Sequence, residues 1–226
     1  MSEGRVARRD EDTIPAIMLG CARFAKDRAQ GMTSAVPKLP TAMTVEEFIA
    51  WPGDGEGGRY QLVDGELRPM SPATVTHGTI QSNLAGIIRD HLDAPGNRCR
   101  VVTEPAVAVR IRARHNLRVP DLGVSCAPDG PGEVELSDPV LLIEILSPGN
   151  ARETMDNVWA YTTIPTLKEI LIVHAATIRA ELLRREAGGS WPATPEEVGA
   201  ADVLRLSSIG YEGPLRAAYG KTYLAG

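Results

Sequence analysis

The sequence predicts an α/β fold with a mixed sheet flanked by helices, and three observations carry that prediction. Apolar residues Ile80, Leu84, Ile87, Ile88 and Leu92 recur at helical spacing, whereas beyond Pro95-Gly96 the period drops to two. The run VLLIEIL (140–146) is apolar on both strand faces but for one residue, the pattern of a strand covered on both sides. A second helical segment, from about Arg152 to Tyr161, separates that run from the apolar strand KEILIVHA. The central order is therefore helix, three strands, helix, strand.

Composition narrows the class before any motif is considered. The chain has 226 residues, enough for one domain with trimmings or two small ones. With 43% hydrophobic and 23% charged residues it matches an ordinary globular protein, which excludes a disordered chain. The 22 Gly and 17 Pro show no period, so collagen-like and repeat arrays are excluded too. Aromatic residues, at 4%, are too sparse for a base-stacking platform, and a net charge of −5 argues against a general nucleic-acid coat. No apolar run approaches the ~20 residues of a membrane helix. The three cysteines, Cys21, Cys99 and Cys126, are widely spaced, with no C-x-x-C, and read as reduced thiols. A cytoplasmic protein with no membrane partner is the expectation.

Taken in order, residues 1–42 show no periodicity and end in the Pro-bearing VPKLPTAM, an arm or linker. Met1, Met32 and Met43 are all candidate starts. The folded domain is expected over 43–226. It opens with Thr44 and Glu47, a capping box for the short helix TVEEFIAW, which Pro52 and the Gly-rich GDGEGG end. RYQLVDGELRPM reads as a hairpin turning at Asp64-Gly65. Thr74 or Thr76 caps the long helix that stops at Pro95-Gly96. RCRVVTEPAVAVRIRA forms one or two strands, and VPDLGVSCA and PVLLIEILSP one each. After the second helix and KEILIVHA come IRAELLRRE and a tail that mixes a short strand with a helical turn.

Two acids break the local pattern. Glu144 lies inside VLLIEIL, where a lone carboxylate costs several kcal/mol unless paired, neutralised or bound to a cation. Asp121 follows Pro120 at the start of the preceding strand, and neighbouring strands would bring both carboxylates to one point. Oxygen-only donors suit Mg²⁺ or Mn²⁺ better than zinc; a buried ion pair with a helix arginine is the other reading. His77 shares the apolar stripe of the first long helix and is either a structural or a site histidine, and Gln81, one turn on, is equally open. Glu66 in DGEL is a third acid at a metal site or a solvated strand residue. His91, His115 and His174 show no ligand spacing. Arg110, Arg112 and Arg114 alternate strictly, with Arg118 just beyond, and in a strand the three would make a basic stripe for phosphates, or a charged edge.

Pro120-Asp121 followed by Glu144-Ile145-Leu146 resembles the PD-(D/E)XK nuclease pattern. More narrowly, the domain resembles the Uma2 family of restriction-endonuclease-like proteins through YQLVDGEL (60–67), MSP (70–72), the His77 helix with Asn83-Leu84, VPDLGV (119–124), LIEILSP (142–148) and YTTIPTLKEILIV (161–173). The resemblance implies a restriction-endonuclease-like core and a Mg²⁺-dependent endonuclease acting on DNA. Asp121 and Glu144 would hold the metal, His77, Gln81 or Glu66 would complete the site, and Arg110, Arg112 and Arg114 would position the backbone. The lysine of E-x-K is replaced by Leu146. The family places a lysine four residues before the helix tyrosine, which here is Asn157, while Glu153 keeps the acidic position four residues earlier; Lys168 is a substitute cation. A nuclease-fold binding module without catalysis is the alternative function. Exposed strand edges and the apolar segment from Ile209 to Leu215 would suit a homodimer, the arrangement a cut in both strands needs.

Overall fold

The computed structural model describes residues 42–226. The expected arm over 1–42, with its candidate starts Met1 and Met32, lies outside the described residues apart from Ala42. Helix α1 (Val45–Ala50) opens on the expected capping box: Glu47 N donates to Thr44 Oγ1 and Thr44 N to the Glu47 carboxylate. Strands β1 (Tyr60–Val63) and β2 (Glu66–Pro69) follow as a hairpin, with Asp64 and Gly65 at φ of 52° and 85°, the left-handed pair of a two-residue turn. Gly65 is needed twice over, since a Cβ there would also come within 2.9 Å of Ala42 Cβ.

Helix α2 (Val75–Leu92) is capped by Thr74, whose Oγ1 accepts from His77 N. Its buried stripe is His77, Ile80, Leu84, Ile88 and Leu92. The chain then supplies β3 (Arg100–Thr103), β4 (Val107–Ala108), β5 (Leu117–Arg118), β6 (Leu122–Ser125), β7 (Pro139–Leu146), α3 (Ala151–Tyr161), β8 (Glu169–His174), β9 (Arg179–Arg184), β10 (Glu196–Gly199), β11 (Val203–Leu206) and β12 (Tyr211–Pro214). The main sheet runs β10-β9-β8-β7-β6-β3, with β7 and β8 parallel through the α3 crossover and every other pair antiparallel. A smaller sheet runs β2-β1-β5-β4, and β11 pairs with β12. The core order of helix, three strands, helix, strand is thus α2, β3, β6, β7, α3, β8.

Strand parity sorts β7 between two cores. Leu141, Ile143 and Ile145 pack with α2, whereas Leu142 packs with Val158 and Tyr161 of α3. A third, smaller core joins Met43, Val45, Leu62 and Leu117. Among the described residues no helix is long and apolar enough to cross a membrane.

Three expectations are corrected. Arg110, Arg112 and Arg114 do not sit on a strand: the ladder stops at Ala108, Arg112 turns at φ 42°, and residues 113–115 form a 3-10 turn. The cause is Asn116, fully buried, whose side-chain amide donates to Ile111 O and Asp64 Oδ1 while its oxygen accepts from Asp64 N. Those bonds tie the segment to the hairpin turn and compete with the ladder. All three arginines are exposed and form no stripe, and Arg112 pairs with Asp64 at 3.4 Å.

The segment offered for a dimer is turned inward. Leu215 is buried and Ile209 packs on the α2 core, so its apolar residues are used within the chain. Finally, Cys99 and Cys126 are joined in a disulfide rather than being free thiols. Arg100 pairs with Ser125 across β3 and β6, so the next residues out are these cysteines. Only the antiparallel register makes neighbours of residues 27 apart in sequence.

Candidate active site

The site forms where β6 and β7 meet the first turn of α2. Leu122 pairs with Ile143, which sets Asp121 opposite Glu144 as the sequence led one to expect. Asp121 is held on both oxygens: Oδ1 accepts from His77 Nε2 at 2.8 Å, and Oδ2 accepts from Ile145 N at 2.6 Å. His77 Nδ1 lies 3.4 Å from Ser147 Oγ, so the ring is oriented from both sides. One turn along α2, Gln81 Nε2 donates to the main-chain oxygen of Asp121 at 3.0 Å. The structure thus brings His77 and Gln81 together at Asp121, each through one hydrogen bond.

Glu144 is 5% exposed and points to the α3 side of the sheet. Its Oε1 accepts from the Tyr161 hydroxyl at 2.6 Å and from Asn157 Nδ2 at 3.4 Å. Both donors are neutral, and among the described residues no cationic side chain pairs with Glu144, which removes the ion-pair reading. Burial pushes its carboxyl well above the usual range, and the Asp121 charge adds to that, while Tyr161 and Asn157 pull the other way. The same burial and the nearby Glu144 charge push the Tyr161 hydroxyl well up.

A cavity of about 580 Å³ lies between the hairpin, β5 and the start of α3, lined by Gln61, Arg68, Arg118, Arg152, Glu153 and Asn157 among others; Glu144 does not line it and is reached through Asn157. Leu62 pairs with Leu117, so Gln61 and Arg118 are neighbours on the opposite face, toward the cavity. Gln61 Nε2 donates to Glu153 Oε1 at 2.8 Å. Burial lowers the Arg118 guanidinium from its ordinary value, against the pull of Tyr161, Asp64, Asp156 and Glu153. Arg118 and Gln61, which line the cavity, and Tyr161, which bonds Glu144, stand at the candidate site without the sequence having marked them for it. Arg118 was visible only as one more arginine beyond the alternating three, and nothing in its spacing marked it as buried.

Two expected residues are not brought in. Glu66 is exposed and pairs with Arg68 at 2.7 Å, and no group of three His, Cys, Asp or Glu side chains placed to hold a metal occurs among the described residues. Lys168 precedes β8, where Glu144 faces Ile172. Four residues of strand, about 13 Å, separate the lysine from Glu144's level.

The sequence profile of the Uma2 family, described as "Putative restriction endonuclease", matches residues 45–210, well over half of the chain. This chain belongs to the Uma2 family. The matched span contains every site residue above. Among solved structures the Uma2 chain is similar to a protein described as a "putative nuclease belonging to DUF820" from Anabaena variabilis ATCC 29413. The two share 16% identity with a TM-score of 0.62, over 78% of this chain and 97% of that one. At that identity the likeness shows the fold, a restriction-endonuclease-like α/β core. No curated protein matches the chain.

Proposed function

We propose that this Uma2 protein hydrolyses phosphodiester bonds in DNA with Mg²⁺ or Mn²⁺ held by Asp121 and Glu144. One observation carries the reading: a carboxylate is buried beside a second carboxylate and has only neutral donors. A divalent cation is the partner such a pair lacks, and oxygen-only donors suit a hard one. The donor set fits with two protein carboxylates, since Mg²⁺ is commonly held by one or two with water completing the shell. When bound, the ion would polarise a phosphoryl oxygen and lower the pKa of the attacking water.

The chain's own groups prepare the acids for that task. His77 and the Ile145 amide fix the Asp121 carboxylate, while Gln81 braces its main chain. Tyr161 and Asn157 fix Glu144. Cutting both strands would need two copies of the site, hence a homodimer, which light scattering reads directly.

The second reading, a nuclease-fold binding module without catalysis, is favoured by Asn157. Its neutral amide sits on Glu144 where the resemblance implies a lysine. Calorimetry with Mg²⁺ and Mn²⁺ on the wild type and Glu144→Gln, run beside plasmid nicking, separates the two. Metal binding lost in the variant, together with nicking, supports the enzyme; no binding at millimolar metal rejects it in favour of the module.

A further inference from the structure

Among the described residues, Arg118 is a buried cation whose surroundings leave it unexplained. The residue is 6% exposed, yet among the described residues its guanidinium has no hydrogen bond and no ion pair, and its Nε is fully buried without a partner. Leaving a buried cation unpaired is costly, and most proteins avoid it. Arg118 lines the cavity, so the missing partner has somewhere to sit.

A second feature opens on the same cavity. Gly149, Asn150, Arg152 and Glu153 at the start of α3 line it, and Asn150 makes no side-chain cap; its Oδ1 accepts instead from Ser147 N. The first-turn amides of this 11-residue helix are thus left without a capping side chain, at the end of the helix where partial positive charge accumulates. Arg152 adds another cation to the lining, beside Arg68, which is paired with Glu66. Of the acids there, Glu153 is engaged by Gln61 and Asp156 is exposed.

We propose that Arg118 and the N-terminus of α3 form a phosphate subsite that grips the DNA strand next to the bond cut at Glu144. The planar fork of an arginine suits a phosphate, and helix N-terminal amides complement it. Asn157 lines the cavity and bonds Glu144, so a strand held there lies one side chain away from that acid. The assignment rests on the hydrolytic reading for its strand, but the phosphate site itself does not.

The test uses the full chain and two readouts. In phosphate-free buffer Arg118→Met melts higher than the wild type, because an unpaired buried charge has gone. Inorganic phosphate at millimolar concentration raises the wild-type melting temperature and leaves that of Arg118→Met unmoved. Anisotropy of a fluorescent DNA duplex in EDTA shows Arg118→Met binding about tenfold more weakly, with a salt slope reduced by about one. A lower melting temperature for Arg118→Met with an intact phosphate response overturns the subsite. A lost phosphate response with unchanged DNA affinity and slope overturns the strand assignment, leaving a site for free phosphate. If instead Glu144→Gln still nicks plasmid, the hydrolytic reading fails and the Arg118 result stands by itself.

Discussion

The Tyr161 hydroxyl donates to Glu144 Oε1 at 2.6 Å, so the last residue of α3 reaches down to the one carboxylate inside β7. This bond places the acid and moderates the cost of burying it. Tyr161→Phe removes the donor and costs about 1–3 kcal/mol of stability, read by urea unfolding. A loss below a few tenths would mean that Asn157 or water takes over.

Glu144→Gln acts in opposite directions on activity and stability. Nicking falls about a thousandfold, as expected when several kcal/mol of charge stabilisation are lost. In EDTA the wild type loses stability as pH rises above the ordinary carboxylate range. The unfolded chain ionises Glu144 first, because burial and Asp121 hold the folded carboxyl high. Glu144→Gln lacks that decline and is the more stable protein at neutral pH; matching pH curves would refute the assignment.

His77 is placed to act through Asp121. His77→Ala removes the 2.8 Å bond and costs activity about 10–100-fold, the usual size of an effect on the group that orients a ligand. His77→Gln, which can still donate, recovers part of it. Equal activity of both variants and the wild type would make the histidine purely structural.

Alkaline stability reports on Tyr219, whose hydroxyl sits 2.8 Å from His174 O and 3.0 Å from Arg179 O. Burial pushes its pKa up to about 12. Since the unfolded tyrosine ionises near 10, stability falls between pH ~10 and ~12, by up to about 3 kcal/mol. Tyr211, also raised by burial, adds to the slope, so the measurement is the difference between the wild type and Tyr219→Phe. Parallel curves for the two would exclude Tyr219.

Reduction tests the link between β3 and β6. The Cys99–Cys126 disulfide closes a separation of 27 residues, for which the chain-entropy account gives about 3–4 kcal/mol. Dithiothreitol should lower the melting temperature of the wild type and leave Cys99→Ser unchanged. Equal behaviour of the two would show the thiols to be free.

Much of the fold was legible because its signals are local. Thr44 and Glu47 cap α1, Asp64-Gly65 turns the hairpin, and the 80-84-88-92 stripe defines α2, each through residues within a turn or two of each other. The arginine alternation at 110–114 failed because Asn116 bonds to a hairpin about 50 residues earlier, and no local pattern records that competition.

The sequence by itself determined the order of elements and the two acids, since a carboxylate in an apolar strand is anomalous wherever that strand is placed. It also determined that His77 shares the face of α2 that turns inward. Tertiary structure alone decided which charges meet. Strand register set Asp121 opposite Glu144, moved Lys168 about 13 Å away and joined Cys99 to Cys126. Packing of the small sheet on α3 left Arg118 buried beside a cavity with no partner. Burial and pairing are properties of neighbours in space, and for these residues the neighbours come from distant parts of the chain.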